Sequence, residues 1–111
     1  MKTDREILDM LAIIPEVKEL IDMEWEAYRR VWNPIDDGGQ ALKLAVHLGM
    51  DIIQNKIQRE TIAKFFVGSK LEFVVSIRWD MMDKMSATRR AIVLVAEQIA
   101  IQLSEKSVDT A

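Results

Sequence analysis

A chain of 111 residues has the size of one ordinary domain and buries about two-thirds of its unfolded surface, so a single core is expected over residues 1–111. Half of the residues are apolar and 30% are charged, which excludes a disordered chain, and a net charge of −3 argues against a general binder of phosphate backbones, which needs a concentrated Lys/Arg surface. The absence of cysteine excludes disulfides, thiolate zinc sites and cysteine nucleophiles, and fits a reducing, cytoplasmic setting.

The first residues, Met1 to Glu6, are charged and lead into no small-residue cleavage pattern, so they do not read as a signal peptide. Thr3 followed three residues later by Glu6 is a capping box, which starts a helix. Ile7, Leu8, Leu11 and Ile14 keep helical spacing as far as Pro15, a residue that ends one helix and suits the first turn of the next. A second helix is expected to run to about Trp32, with Val17, Leu20, Ile21, Trp25, Tyr28 and Trp32 as its apolar stripe.

Asn33-Pro34-Ile35-Asp36-Asp37-Gly38-Gly39 has turn composition, and a short helix follows from near Asp37 to Leu48, stopped by Gly49. The segment 50–58 suits either a strand or one helical face; a third strand is the reading taken. Residues 61–67 and 70–79 form a hairpin, because Leu71, Phe73, Val75, Ile77 and Trp79 alternate with more polar residues and Gly68-Ser69 suits a two-residue type II′ turn. In an uninterrupted register Ile62, Phe66, Leu71, Phe73, Val75 and Ile77 share one face, with Ala63, Phe65 and Val74 on the other. Apolar groups on both faces leave room for cover on both.

Ser86 is the expected cap of a last helix reaching about Ser104, whose broad apolar face is Ala91, Ile92, Val95, Ala96, Ile99, Ala100 and Leu103. That stretch also holds Glu97, Gln98 and Gln102, too polar to span a bilayer. The fold class is therefore α+β: a small antiparallel sheet packed with N-terminal, middle and C-terminal helices. It divides into a helical region 3–32, an α/β sandwich core 33–104 and a frayed tail 105–111.

No catalytic set emerges. His47 is the single histidine and lies near a helix C-terminus, where it reads as a capping or surface residue, so a histidine triad is not expected and two-histidine metal motifs within one chain are excluded. The acidic pairs Asp36/Asp37 and Asp80/Asp83 offer oxygen ligands or acid/base groups, yet helix capping and turn solvation account for them as well. No metal or cofactor is expected. Ser86, Thr88, Arg89 and Arg90 in a first helical turn suit an anionic nucleotide or metabolite, the plain alternative being that the arginines pair with Asp80 or Asp83. Leu94 and Ile101, one heptad apart with Val93 beside them, suit a protein partner or a homodimer, although a helix buried on most sides has the same pattern. Trp25, Trp32 and Trp79 suit core or interface anchors, and Met81, Met82 and Met85 an adaptable contact surface or core filler.

The run Trp32-Asn33-Pro34-Ile35-Asp36-Asp37 before an amphipathic helix, the β-rich middle, and the closing Ser86-Ala87-Thr88-Arg89-Arg90-Ala91-Ile92 helix resemble the phage ABA-sandwich proteins, a family that includes NinX-like proteins. The resemblance extends from Trp32 to Leu103. It departs at Gly38-Gly39, where the family often has an aromatic, and in the long N-terminal helical region. It implies a phage or prophage accessory protein rather than a reaction. By analogy with small phage proteins, it also implies binding of a host factor that inhibits a host process.

Overall fold

The structure is a computed structural model that describes residues 2–109. Its elements are α1 (Asp4–Leu11), α2 (Pro15–Tyr28), α3 (Gly38–Leu48), β1 (Asp51–Asn55), β2 (Glu60–Val67), β3 (Lys70–Arg78) and α4 (Lys84–Asp109). The fold is α+β, with one antiparallel sheet in the order β1-β2-β3. α4 lies across β2 and β3 and receives α1 and α3 against its other sides, while α2 packs on α3. All the helices are thus stacked on one face of the sheet.

Local chemistry sets most of the boundaries. The Thr3 hydroxyl oxygen accepts the Glu6 amide at 3.2 Å and donates to the Glu6 carboxylate, half of the expected capping box. Pro15 opens α2, where its missing N–H is not needed. Asp37 caps α3 by accepting the Gln40 amide at 3.0 Å, and Gly49 closes that helix with φ +69°. Segment 50–58 resolves into β1 and a turn in which the Asn55 side chain accepts the Ile57 and Gln58 amides. Gly68 supplies the positive φ, +63°, that the β2–β3 turn needs.

α2 ends at Tyr28, four residues short of Trp32. Arg29 adopts the left-handed conformation with φ 54°, and the Arg29 and Arg30 amides close the helix on Trp25 and Glu24 carbonyls. The chain then runs extended into Pro34, which disfavours helix in the residue before it, and delivers Trp32 into the core. The buried stripe of α2 is Val17, Leu20 and Glu24; Trp25 and Tyr28 stand in solvent.

The hairpin register also differs from the uninterrupted one. Val67 pairs with Lys70 and Phe66 with Leu71, but Phe65 pairs with Phe73, so Glu72 is an extra residue in β3. Such a bulge shifts everything beyond it by one position and exchanges the faces of β2. Ala63 and Phe65 join Phe73, Val75 and Ile77 beneath α4, with the Phe65 and Phe73 rings stacked at 6.2 Å, whereas Ile62 and Phe66 turn to the opposite face. Ala63 is 0% exposed: only a small side chain fits where the helix crosses the sheet.

α4 starts at Lys84 with Asp83, not Ser86, as its cap, and continues to Asp109, past the expected stop at Ser104. Residues 110–111 of the expected frayed tail lie outside the described residues. A hydrogen-bond cluster around one buried hydroxyl ties the helix start to the sheet. Thr61, fully buried, donates to Gln54 at 2.8 Å and accepts the Trp79 indole N–H at 3.0 Å, while Thr88 accepts from Gln54 at 2.9 Å. No helix among the described residues is long and apolar enough to cross a membrane.

Candidate protein-binding surface

The four residues read as an anion site do not converge. Ser86, Arg89 and Arg90 line a 260 Å³ cleft together with Ile35 and Met82, but the Thr88 hydroxyl belongs to the Thr61 cluster on the sheet side. The polar groups that remain are already engaged. Arg89 donates to the Ile35 carbonyl at 2.8 Å and to the Ser86 hydroxyl at 3.0 Å, and Arg90 pairs with Asp4 at 3.1 Å. Neither arginine forms an ion pair with Asp80 or Asp83; Asp80 pairs instead with Arg78. The Asp83 carboxylate sits at the α4 N-terminus, accepting the Ser86 amide at 2.9 Å and hydroxyl at 2.7 Å. These bonds, the Ser86 amide first, hold its pKa below the ordinary value. With Asp4 and Asp36 also lining the cleft, its positive charge is balanced from within the chain.

The seam read along the last helix is covered in part. Val93 is 0% exposed and has no surface to offer, because the chain's own core surrounds it; Leu94 is half-buried against that core and Ile101 is half-buried too. The polar-looking arc of α4 reflects a helix covered on most sides. His47 is exposed, its Nδ1 bonding the Lys43 carbonyl one turn back at 2.9 Å. The Asp36 carboxylate accepts from the Asn33 side-chain Nδ2 and Asp37 caps α3, and no group of three His, Asp or Glu among the described residues is placed to hold a metal.

The most distinctive surface involves the apolar stripe expected for α2, whose Trp25 suits a core or an interface anchor alike. At the end of α2, Trp25 is 52% and Tyr28 58% exposed, and Val31 projects just beyond them. The Arg29 guanidinium lies 5.6 Å from the Trp25 ring centre and that of Arg30 lies 5.1 Å from the Tyr28 ring, while Lys43 approaches Tyr28 at 5.4 Å from α3. The left-handed Arg29 produces this stacking by turning the chain back over its own last turn.

Glu24 sets the orientation of the cluster. Spacings of three and four carry the buried stripe through Val17, Leu20 and Glu24, so the next residue, Trp25, is rotated outward. The Glu24 Oε1 accepts from Lys43 at 2.7 Å, and Oε2 is buried without a hydrogen-bond partner. That hydrogen bond raises the Lys43 pKa above its ordinary value. Lys43 is therefore committed within the fold, whereas Arg29 and Arg30 contact no carboxylate within ion-pair distance among the described residues. Val31 also borders a 310 Å³ groove between α1 and α2 lined by Leu8, Ala12, Ile21 and Trp32. A glutamate at the stripe position, with a lysine available on the next helix, is the sequence signal that could have marked this arrangement.

No family model, curated protein or solved structure matches the chain.

Proposed function

We propose that this chain is a non-enzymatic accessory protein of the phage or prophage type that binds a host or phage protein through the α2 end, inhibiting a host process. The observation that carries the reading is the exposed Trp25–Tyr28 pair with Arg29 and Arg30 stacked on it. Trp, Tyr and Arg are the residue types that dominate binding hot spots. They combine large contact area with polar groups that tolerate water before docking. Covering the exposed half of a tryptophan, roughly 100 Å², is worth about 2.5 kcal/mol. The phage origin rests on the resemblance over Trp32 to Leu103, and the non-enzymatic character on the engagement of Asp36, Asp37, Asp80 and Asp83 in turns, caps and an ion pair.

Affinity capture followed by quantitative mass spectrometry tests this. The tagged chain should enrich a defined protein that is lost with Trp25→Ser/Tyr28→Ser and retained with Val67→Ser, while circular dichroism shows all three folded. Equal recovery by the α2 variant, or no enrichment by the parent chain, would sink the reading.

A second reading, sequestration of an anionic nucleotide or metabolite, draws on the cleft at Ser86, Arg89 and Arg90. The bound ligand would have to displace Asp4 from Arg90. A thermal shift across a nucleotide panel, abolished by Arg90→Ala, distinguishes it from the first.

A further inference from the structure

We infer that the outer face of the sheet is a self-association surface, on which a second copy of this chain packs face to face about a two-fold axis running across the strands. This inference stands apart from the α2 surface and does not depend on it. The helices are stacked behind the sheet, so the outer face is open. The pairing register lays that face out in rows: Asp51–Lys64–Val74, then Ile53–Ile62–Ser76, then Asn55–Glu60–Arg78. Phe66 and Leu71 extend it at one end, and Ile57 stands in the turn at the other, 91% exposed. Val74 is 47% exposed and Leu71 43%, on a face where an isolated sheet gains most by keeping polar groups outward.

Charge placement favours another copy of the chain as the occupant and selects its orientation. On the central strand, Lys64 and Glu60 lie two residues on either side of Ile62. A two-fold axis along the Ile53–Ile62 row inverts the row order. Each Lys64 then faces the partner's Glu60, each Asp51 faces the partner's Asn55, and the isoleucines meet their own images. No like charges oppose one another. The Ile57 turn of each copy comes beside the Phe66–Leu71 end of the other. An axis parallel to the strands would instead set Lys64 against the partner's Lys64. Addition at a sheet edge is disfavoured too, since β1 has five residues and the Glu72 bulge interrupts β3. Three strands about 4.8 Å apart and about 27 Å of strand length give a footprint of about 400 Å² per copy, roughly 800 Å² in all, below the ~1,000 Å² that a stable specific interface clears. The dimer is accordingly weak and concentration-dependent.

Sedimentation equilibrium of the full chain across a wide concentration range tests the surface. The parent chain should dimerise. Glu60→Lys, with cations at both central-strand positions, and Lys64→Glu, with anions at both, should each lose association by about tenfold or more when alone. An equimolar mixture of these two variants should regain it, because each central-strand cation then faces a central-strand anion; each variant changes one residue of the central strand, which has register partners on both sides, and is checked for folding by circular dichroism. A parent chain that stays monomeric overturns the inference, as does a mixture that behaves like its separate components. Trp25→Ser should dimerise like the parent. If it dissociates instead, the α2 end is the self-association surface and the sheet face is not.

Discussion

Asp83 and Glu24 show how single side chains decide matters that composition leaves open. Both Asp83 and Ser86 are good helix starters, but the carboxylate also meets the positive end of α4 and accepts two bonds from Ser86, so it takes the cap position. Because its folded pKa lies below the unfolded value, the stability it adds is present above about pH 4 and is lost as pH falls through the folded value. Asp83→Asn keeps an acceptor but cannot titrate. Urea midpoints should therefore differ between parent and variant near neutral pH and converge at about pH 2; a constant gap would mean that the carboxylate charge is not what matters. Lys43 has the opposite sign. Its raised pKa makes the Glu24 pairing persist through neutral pH and weaken only as pH climbs past the lysine's ordinary range. Caps and turns such as Thr3, Asp37, Gly49 and Gly68 were legible from sequence because each acts on amides within a few residues. Glu24 was legible only in part: its place in the stripe is local, but its burial depends on a lysine nineteen positions away.

At the scale of elements, kinds and order were legible, while boundaries and faces were only partly so. The alternation in β3 identifies a strand but cannot reveal that Glu72 will bulge. That one residue decides whether Ala63 or Ile62 lies under α4. Space under the helix arbitrates: alanine fits at the crossing, and the bulge lets Glu72 reach Gln102 on α4 at 3.1 Å. The observed register predicts that Ala63→Leu overpacks the crossing and costs about 1–3 kcal/mol in chemical denaturation. Had the register run uninterrupted, Ala63 would sit on the open face and leucine there would be nearly neutral, so the measured change discriminates between the two. The early end of α2 has a similar origin. Apolar spacing continues to Trp32, but burying Trp32 requires the chain to leave the helix before Pro34.

Across the whole molecule, α4 is the hub: β2 and β3 lie on one side, α1 and α3 on others, and Ala87, Ala91, Val93, Val95, Ala96 and Ala100 are all fully buried. Small residues on several sides let neighbours approach closely all round. α2 is peripheral, packed mainly on α3. Amide hydrogen exchange should consequently be slowest between Ala87 and Ala100 and open earliest among the helices at the end of α2. Comparable protection in the two segments would contradict the hub arrangement.

The surroundings of α4 also explain why both sequence-derived surfaces gave way. The arginines of its first turn and the Val93–Leu94 edge look available on an isolated helix, yet α1, the Asn33–Asp37 turn and the core consume them. What the chain determines by itself is whatever depends on near neighbours or on composition: α+β class, helix and strand identity, most caps and turns, and the absence of cysteine chemistry. Which faces remain open was decided by tertiary packing, because a side chain's exposure is set by elements distant in sequence. That competition for cover left Trp25, Tyr28 and the outer sheet face in water and placed Val93 inside.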